Sequence, residues 1–218
     1  MAESIRVDVI SDVVCPWCFI GTKQLLKALD LAGLAGDIRF HPFELNPDMP
    51  PEGEDVAAHI ARKYGGTAEE SPATWRNIRS IGETLGIDFT HKSKRIWNTA
   101  KAHQLLYWAK DSGHQADLEL QLFEAYFVHG RNISDDAVLL ELVQAAGLDV
   151  EEARAVLADA RFQAPVQALE SRWRDMGVNG VPAMIIAERG LVMGAQDASQ
   201  LAKVLRKMAT DGEDRPPA

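Results

Sequence analysis

The stretch Ser11-Asp12-Val13-Val14-Cys15-Pro16-Trp17-Cys18 decides how the rest of the chain is read, because it holds both cysteines of a 218-residue sequence. Two cysteines placed at random fall three apart in about 1% of cases, so this C-x-x-C spacing points to chemistry. Before it, Ile5 to Ile10 is short and β-branched and runs into turn-prone Ser11 and Asp12, which predicts a strand. After it, Leu25, Leu26 and Leu29 keep helical spacing and Gly33 supplies a stop, which predicts a helix. Proline suits the first turn of a helix, where its missing N–H is unpaired in any case. Pro16 therefore puts Cys15 at or beside the N-cap, facing free backbone N–H groups and the positive end of the helix dipole. Those favour a thiolate: a thiol lowered to pKa ~6 is about 90% ionised at neutral pH, against about 3% for one at ~8.5. Cys15 is the expected nucleophile. Cys18, almost one turn along on the same face, can reach its sulfur and resolve a mixed disulfide.

Two structural alternatives stand beside this. A zinc half-site needs two further ligands, yet no second cysteine pair exists and the six histidines show no H-x3-5-H spacing, so no metal is expected. Two inert buried thiols are the other. The N-terminus carries Glu3, Arg6 and Asp8 and lacks a continuous apolar stretch, so no secretory signal is expected and the chain reads as cytoplasmic. In a reducing compartment a lone vicinal pair is catalytic or metal-binding more often than a staple.

Composition narrows the partners. With 23 Lys and Arg against 32 Asp and Glu the formal charge is −9, which argues against a phosphate-backbone partner, so no nucleic acid is expected. At 46% apolar and 25% charged the chain has ordinary globular composition. No stretch approaches the roughly 18 to 20 uninterrupted apolar residues of a membrane helix, so no membrane partner is expected.

Farther out, Asp37 to Phe43 reads as a second strand, broken by Asn46, Pro47, Pro50 and Pro51, so the chain opens strand, helix, strand. From about Glu54 to Met176 almost nothing reads as strand. Ser71-Pro72 is a helix start, and Asn98 to Asp111, Asp117 to Val128, Asp135 to Ala146 and Val150 to Ala160 keep helical spacing, Asp149 with Glu152 forming a capping pair. Within the second of these, Phe123, Tyr126 and Phe127 are core packing at helical spacing, with the Tyr126 hydroxyl in reach of a cleft. Then Ala183 to Ala187, Leu191 to Met193 and Gln196 to Met208 spell strand, strand, helix. The order βαβ, helical block, ββα makes an α/β chain whose sheet is completed from both ends. The expected division is 1–50 with 177–210 as one discontinuous domain, 51–176 as an all-helical insertion, and 211–218 as a polar disordered tail.

The C-x-x-C segment, Pro42-Phe43-Glu44-Leu45-Asn46-Pro47 after the second strand, and Gly180-Val181-Pro182 before the third resemble the DsbA-like thioredoxin-fold family. The nearest likeness is to its FrnE-like branch, related to 2-hydroxychromene-2-carboxylate isomerases and kappa-class glutathione transferases. The resemblance covers nearly the whole chain. It implies a thioredoxin fold interrupted by a large helical insertion, and a dithiol/disulfide oxidoreductase in which Cys15 attacks and Cys18 resolves. It also implies that Val181-Pro182 is a cis-proline loop that packs on the cysteines and offers backbone to an extended peptide or to glutathione. The substrate is then a thiol or disulfide, protein or small molecule. No tightly bound cofactor is expected, glutathione is a candidate cosubstrate beside Pro16 and Trp17, and a homodimer is left open.

In the glutathione-using relatives the segment matching Gly194-Ala195-Gln196-Asp197 holds the γ-glutamyl end, which suits a helix N-terminus; the other account of Gln196 and Asp197 is an ordinary cap. Trp97 and Asn98 resemble a segment that faces the thiol site, or else form a core tryptophan beside a helix cap. The isomerase and transferase relatives carry serine in place of Cys15, so two sulfurs favour redox. Secreted DsbA-type oxidases carry a signal peptide and usually a histidine between the cysteines, and this sequence shows neither. Asp12 and Glu44 are the carboxylates that sequence places near the thiols, each able to take a proton from Cys18 through water. The competing functions are a glutathione-dependent isomerase or transferase of small aromatic compounds and a non-enzymatic redox-responsive chaperone.

Overall fold

A computed structural model describes residues 4–64, 72–89 and 94–213. The chain opens with β1 (Ser4–Ser11), α1 (Pro16–Ala32) and β2 (Ala35–Pro42). Helix α1 starts at Pro16, and Gly33 ends it with φ 73°, a left-handed conformation that glycine adopts without a side-chain penalty. The helical insertion follows. It contains β3 (Glu54–Asp55), α2 (Val56–Tyr64), α3 (Pro72–Thr84), β4 (Arg95–Ile96), α4 (Ala100–Trp108), α5 (Gln115–Phe123), α6 (Asp136–Ala145), α7 (Val150–Asp159) and α8 (Gln163–Asp175). The chain then returns as β5 (Ala183–Ile186), β6 (Gly190–Met193) and α9 (Ala198–Glu213). Among the described residues no helix is long and apolar enough to cross a membrane.

The order βαβ, helices, ββα therefore stands, and this is a thioredoxin fold with a helical insertion. Several details differ from the sequence reading. The block after Glu54 is not free of strands, since β3 and β4 pair antiparallel as a two-residue ribbon. Two residues have no periodicity, so only the pairing makes them strands. Helices α2 and α8 were not foreseen. The helix predicted from Asn98 begins at Ala100 and finishes in a 3-10 turn at Ala109–Asp111, and the one predicted from Asp117 begins at Gln115. Asp149 caps α7 by accepting from the N–H groups of Glu151 and Glu152, but the Glu152 side chain reaches Arg161 instead of closing a capping box. Pro72 opens α3, while Ser71 lies outside the described residues. Helix α9 runs on to Glu213, three residues into the stretch read as tail; residues 214–218 lie outside the described residues.

The main sheet has the order β2-β1-β5-β6. Strand β1 pairs parallel with β2, Val9 opposite Phe40, and antiparallel with β5, Val9 opposite Met184. Its side chains alternate as a two-residue period demands. Val7 and Val9 pack with Leu25, Ala28 and Leu29 of α1 and Leu201, Ala202 and Leu205 of α9. Ile10 faces the other side, against Phe43, Trp173 and Ala183. The first turn of α1 belongs to a third cluster: Phe19 stacks on Phe123 at 5.0 Å and meets Phe89 edge-on at 6.0 Å. One helix thus carries the cysteines, covers the sheet with its far half and packs on the insertion with its near half.

Strand β2 is an edge, and an edge leaves backbone groups unpaired. At Phe40 the insertion fills them: the Gln115 amide accepts from the Phe40 N–H and donates to the Phe40 carbonyl, both at 2.9 Å. It donates also to the Leu106 carbonyl at 2.9 Å.

Candidate active site

Cys15 is the N-cap of α1, with extended backbone (φ −92°, ψ 114°) and Pro16 next to it. Its N–H donates to the Asp12 carbonyl at 3.0 Å, closing the turn out of β1, and its own carbonyl accepts from the Cys18 N–H at 3.0 Å. That first turn brings the cysteines to 3.3 Å of one another. Cys15 is 4% exposed and Cys18 fully buried. The Cys15 thiol donates to the Val181 carbonyl at 3.6 Å, and the Val181-Pro182 peptide is cis. Gly21 lets that loop close on α1, since a Cβ there would lie 3.0 Å from Pro182 Cγ. Trp17, Trp97 and Val181 are half-buried and pack against the cluster that contains both sulfurs.

Of the residues named from sequence, Cys15, Cys18, Val181 and Pro182 therefore converge, with Trp17 and Trp97 at their margin. Asn98 is already engaged: its amide donates to the Met49 carbonyl at 2.7 Å and accepts from the Ala100 N–H at 2.9 Å, holding the start of α4. Asp197 caps α9 through the Ser199 N–H at 2.8 Å, and Gln196 donates to the Met193 carbonyl at 2.7 Å. The Tyr126 hydroxyl donates to the Arg95 carbonyl at 3.1 Å, and its ring packs at 4.7 Å on Phe127.

Behind the thiols lies a group of buried polar side chains that sequence reasoning largely missed. Asp12 Oδ2 accepts from the Leu45 N–H at 2.8 Å, and Asp12 Oδ1 lies 3.3 Å from His103 Nε2. Burial opposes charge on His103, yet the hydrogen bond and charge of Asp12, with Glu44 and Glu170 beyond, outweigh it and raise the imidazole to about 9. Glu170 accepts from the Glu44 N–H at 2.9 Å, and Arg174 donates to the Glu44 carbonyl at 3.2 Å. Burial pushes the Glu44 carboxyl up to about 7, with His103 pulling the other way. Glu119, from α5, is 0% exposed and accepts from the Ser11 hydroxyl at 2.7 Å. Burial raises it also to about 7, against the Ser11 hydrogen bond and the His103 charge. Cys18 is raised well above the usual thiol range, by burial first and then by Cys15.

Residues 6–206 match the DSBA-like thioredoxin domain. The chain belongs to that family. A probable DsbA oxidoreductase from Streptomyces coelicolor is 30% identical and superposes with a TM-score of 0.86 over 98% of this chain and 92% of that one. The uncharacterized protein YwbO of Bacillus subtilis is 26% identical over 189 residues, 85% of this chain and 88% of that protein. A 2-hydroxychromene-2-carboxylate isomerase, 14% identical, shares the fold with a TM-score of 0.69 over 97% of this chain and 100% of that one. Within the family's fold, the cysteine pair and the Val181-Pro182 loop sit where the two ends of the chain meet.

The missed residues left one signal. Gln115, Leu118, Glu119, Leu122 and Phe123 form a single buried face of α5 at three- and four-residue spacing. A glutamate on an apolar stripe is costly unless it is paired or neutral, so Glu119 stands out once the stripe is drawn.

Proposed function

We propose that this protein is a thiol-disulfide oxidoreductase that cycles Cys15 and Cys18 between dithiol and disulfide. The carrying observation is the position of Cys15: at the N-cap of α1, 3.3 Å from Cys18 and within 3.6 Å of the Val181 carbonyl. A thiolate there lies at the positive end of the α1 dipole, which favours negative charge. Cys15 attacks a substrate disulfide, forming a mixed disulfide and releasing one thiol. Cys18 then attacks Cys15 and releases the second. The Val181 backbone beside the sulfur is placed to pair with an extended thiol substrate in the manner of an added strand. The substrates are protein or small-molecule disulfides, with glutathione as a candidate thiol cosubstrate.

Steady-state disulfide reduction with Cys15→Ser and Cys18→Ser tests this. Cys15→Ser loses turnover, whereas Cys18→Ser accumulates a mixed disulfide visible by intact mass. Full reductase activity in Cys15→Ser, or no turnover by the wild type with any thiol couple, overturns the reading.

A further inference from the structure

We propose that His103, carried by the inserted helix α4, is a positioning residue for Cys15: as a buried cation paired with Asp12, it holds the turn that delivers the nucleophile and cancels the negative charge that this turn carries. This rests on the reading of Cys15 as the attacking thiol. Asp12, Val13, Val14 and Cys15 form the turn between β1 and α1, closed by the Cys15 N–H on the Asp12 carbonyl at 3.0 Å. Aspartate suits the first position of such a turn because its side chain can bond to the turn's own backbone. Here both carboxylate oxygens are committed elsewhere. Asp12 Oδ2 accepts from the Leu45 N–H at 2.8 Å, and Asp12 Oδ1 lies 3.3 Å from His103 Nε2. The turn is therefore held from outside, by the loop after β2 and by the insertion.

The Asp12 and His103 side chains are 0% and 2% exposed, so the pair is closed off from bulk water. In such a place a carboxylate without a counter-charge is costly to keep, and a negative charge in the same short turn opposes ionisation of the thiol. The other titratable groups facing the imidazole are Glu44 from the loop after β2, Glu119 from α5 and Glu170 from α8. All three are acids. The guanidinium of Arg174 lies on their far side, 40% exposed, and donates to the Glu44 carbonyl. Burial opposes charge on His103, yet Asp12 first and then the further carboxyls hold it protonated up to about 9. The pair is thus intact throughout the neutral range.

No proton or electron passes through His103 in this arrangement. Its part is to make Asp12 act on the nucleophile as one half of a neutral pair, so that the turn keeps the two hydrogen bonds of the carboxylate without the charge that would work against Cys15. The cation comes from the insertion and the anion from the thioredoxin core. The insertion therefore enters the chemistry of the thiol through the turn that carries it, apart from any substrate it covers.

Alkylation of the reduced protein by iodoacetamide, followed against pH with the modified cysteine located by peptide mass, tests this. His103→Gln keeps a donor for Asp12 and removes the charge; the pH of half-maximal alkylation at Cys15 then rises by about one pH unit, a tenfold loss of rate on the acid side. Asp12→Asn removes the anion and moves the same midpoint down. The double variant His103→Gln with Asp12→Asn carries neither charge and returns close to the wild-type midpoint. A merely structural pair would slow all three variants and leave the midpoint where it is. Unmoved midpoints in both single variants overturn the proposal, as does a double variant that keeps the whole His103→Gln displacement. If His103→Gln folds poorly, Asp12→Asn decides alone, since a midpoint that stays or rises there contradicts the sign required. Wild-type protein in which Cys15 is not the cysteine alkylated first brings down the redox reading, and this inference with it.

Discussion

At the level of single residues, Gln115 and Phe19 hold the insertion to the thioredoxin core by opposite physics. Removing the Gln115 amide leaves the Phe40 N–H, the Phe40 carbonyl and the Leu106 carbonyl without partners in a buried site. Each orphaned group costs about 1 to 3 kcal/mol, so Gln115→Leu is expected to lower stability by at least ~3 kcal/mol despite its greater apolarity. Phe19 contributes through contact alone, and Phe19→Ala is expected to cost ~3 to 5 kcal/mol, with Phe19→Leu costing less. Urea unfolding of the three variants checks both values; a neutral Gln115→Leu would mean that the edge is satisfied some other way. These residues also mark where sequence reading stops. Cys15, Pro16 and Gly33 were legible because their roles are set by neighbours within one turn. Gln115, His103 and Glu119 were not, because each is defined by a partner far along the chain.

At the level of elements, α1 is constrained at its middle by the loop it helps to shape. Glycine inside a helix is normally worse than alanine by about 1 kcal/mol, so Gly21→Ala would ordinarily stabilise. Here the added methyl meets Pro182 Cγ at 3.0 Å, with Met184 and Ala195 close behind. The expected outcome is no gain in thermal stability, together with slower attack by Cys15 as the Val181 carbonyl shifts. A full gain with unchanged thiol reactivity would show that the loop yields freely. Helix starts were readable where a cap announced them, as Asp135 and Asp149 do. The β3 and β4 ribbon carried no such signal. Neither did the π turn at Glu124–Val128, where the His129 N–H reaches back to the Glu124 carbonyl at 3.1 Å.

For the molecule as a whole, the buried acids and imidazole sit where β1, α4, α5, α8 and the loop after β2 meet, so their protonation is tied to global stability. Glu44 and Glu119 stand at about 7 against an ordinary 4.5, so the folded state binds their protons more tightly and that advantage is lost as pH rises from about 4.5 to 7. His103 at about 9 against 6.5 adds stability that is complete below 6.5 and lost by about 9. All three act in the same direction, each by roughly 1.4 kcal/mol for every tenfold gain in proton affinity on folding. Urea midpoints are therefore expected to fall steadily from pH 5 to 9. Glu119→Gln flattens the lower part of that slope, and a rising midpoint above pH 7 in the wild type would contradict the arrangement.

The sheet order also sets a timetable. Strand β1 lies between β2 and β5, and Ile10 waits for Ala183, 173 residues later. At synthesis rates of about 5 to 20 residues per second, the first strand spends roughly 10 to 35 s with one edge open while the entire insertion emerges from the ribosome. A chain ending at Met176 makes that interval permanent, and it is expected to show no cooperative urea transition although it retains both cysteines. A nascent chain of this design keeps the inner edge of its first strand, and the helix start that holds both cysteines, without their closing strand until its last fifth is made.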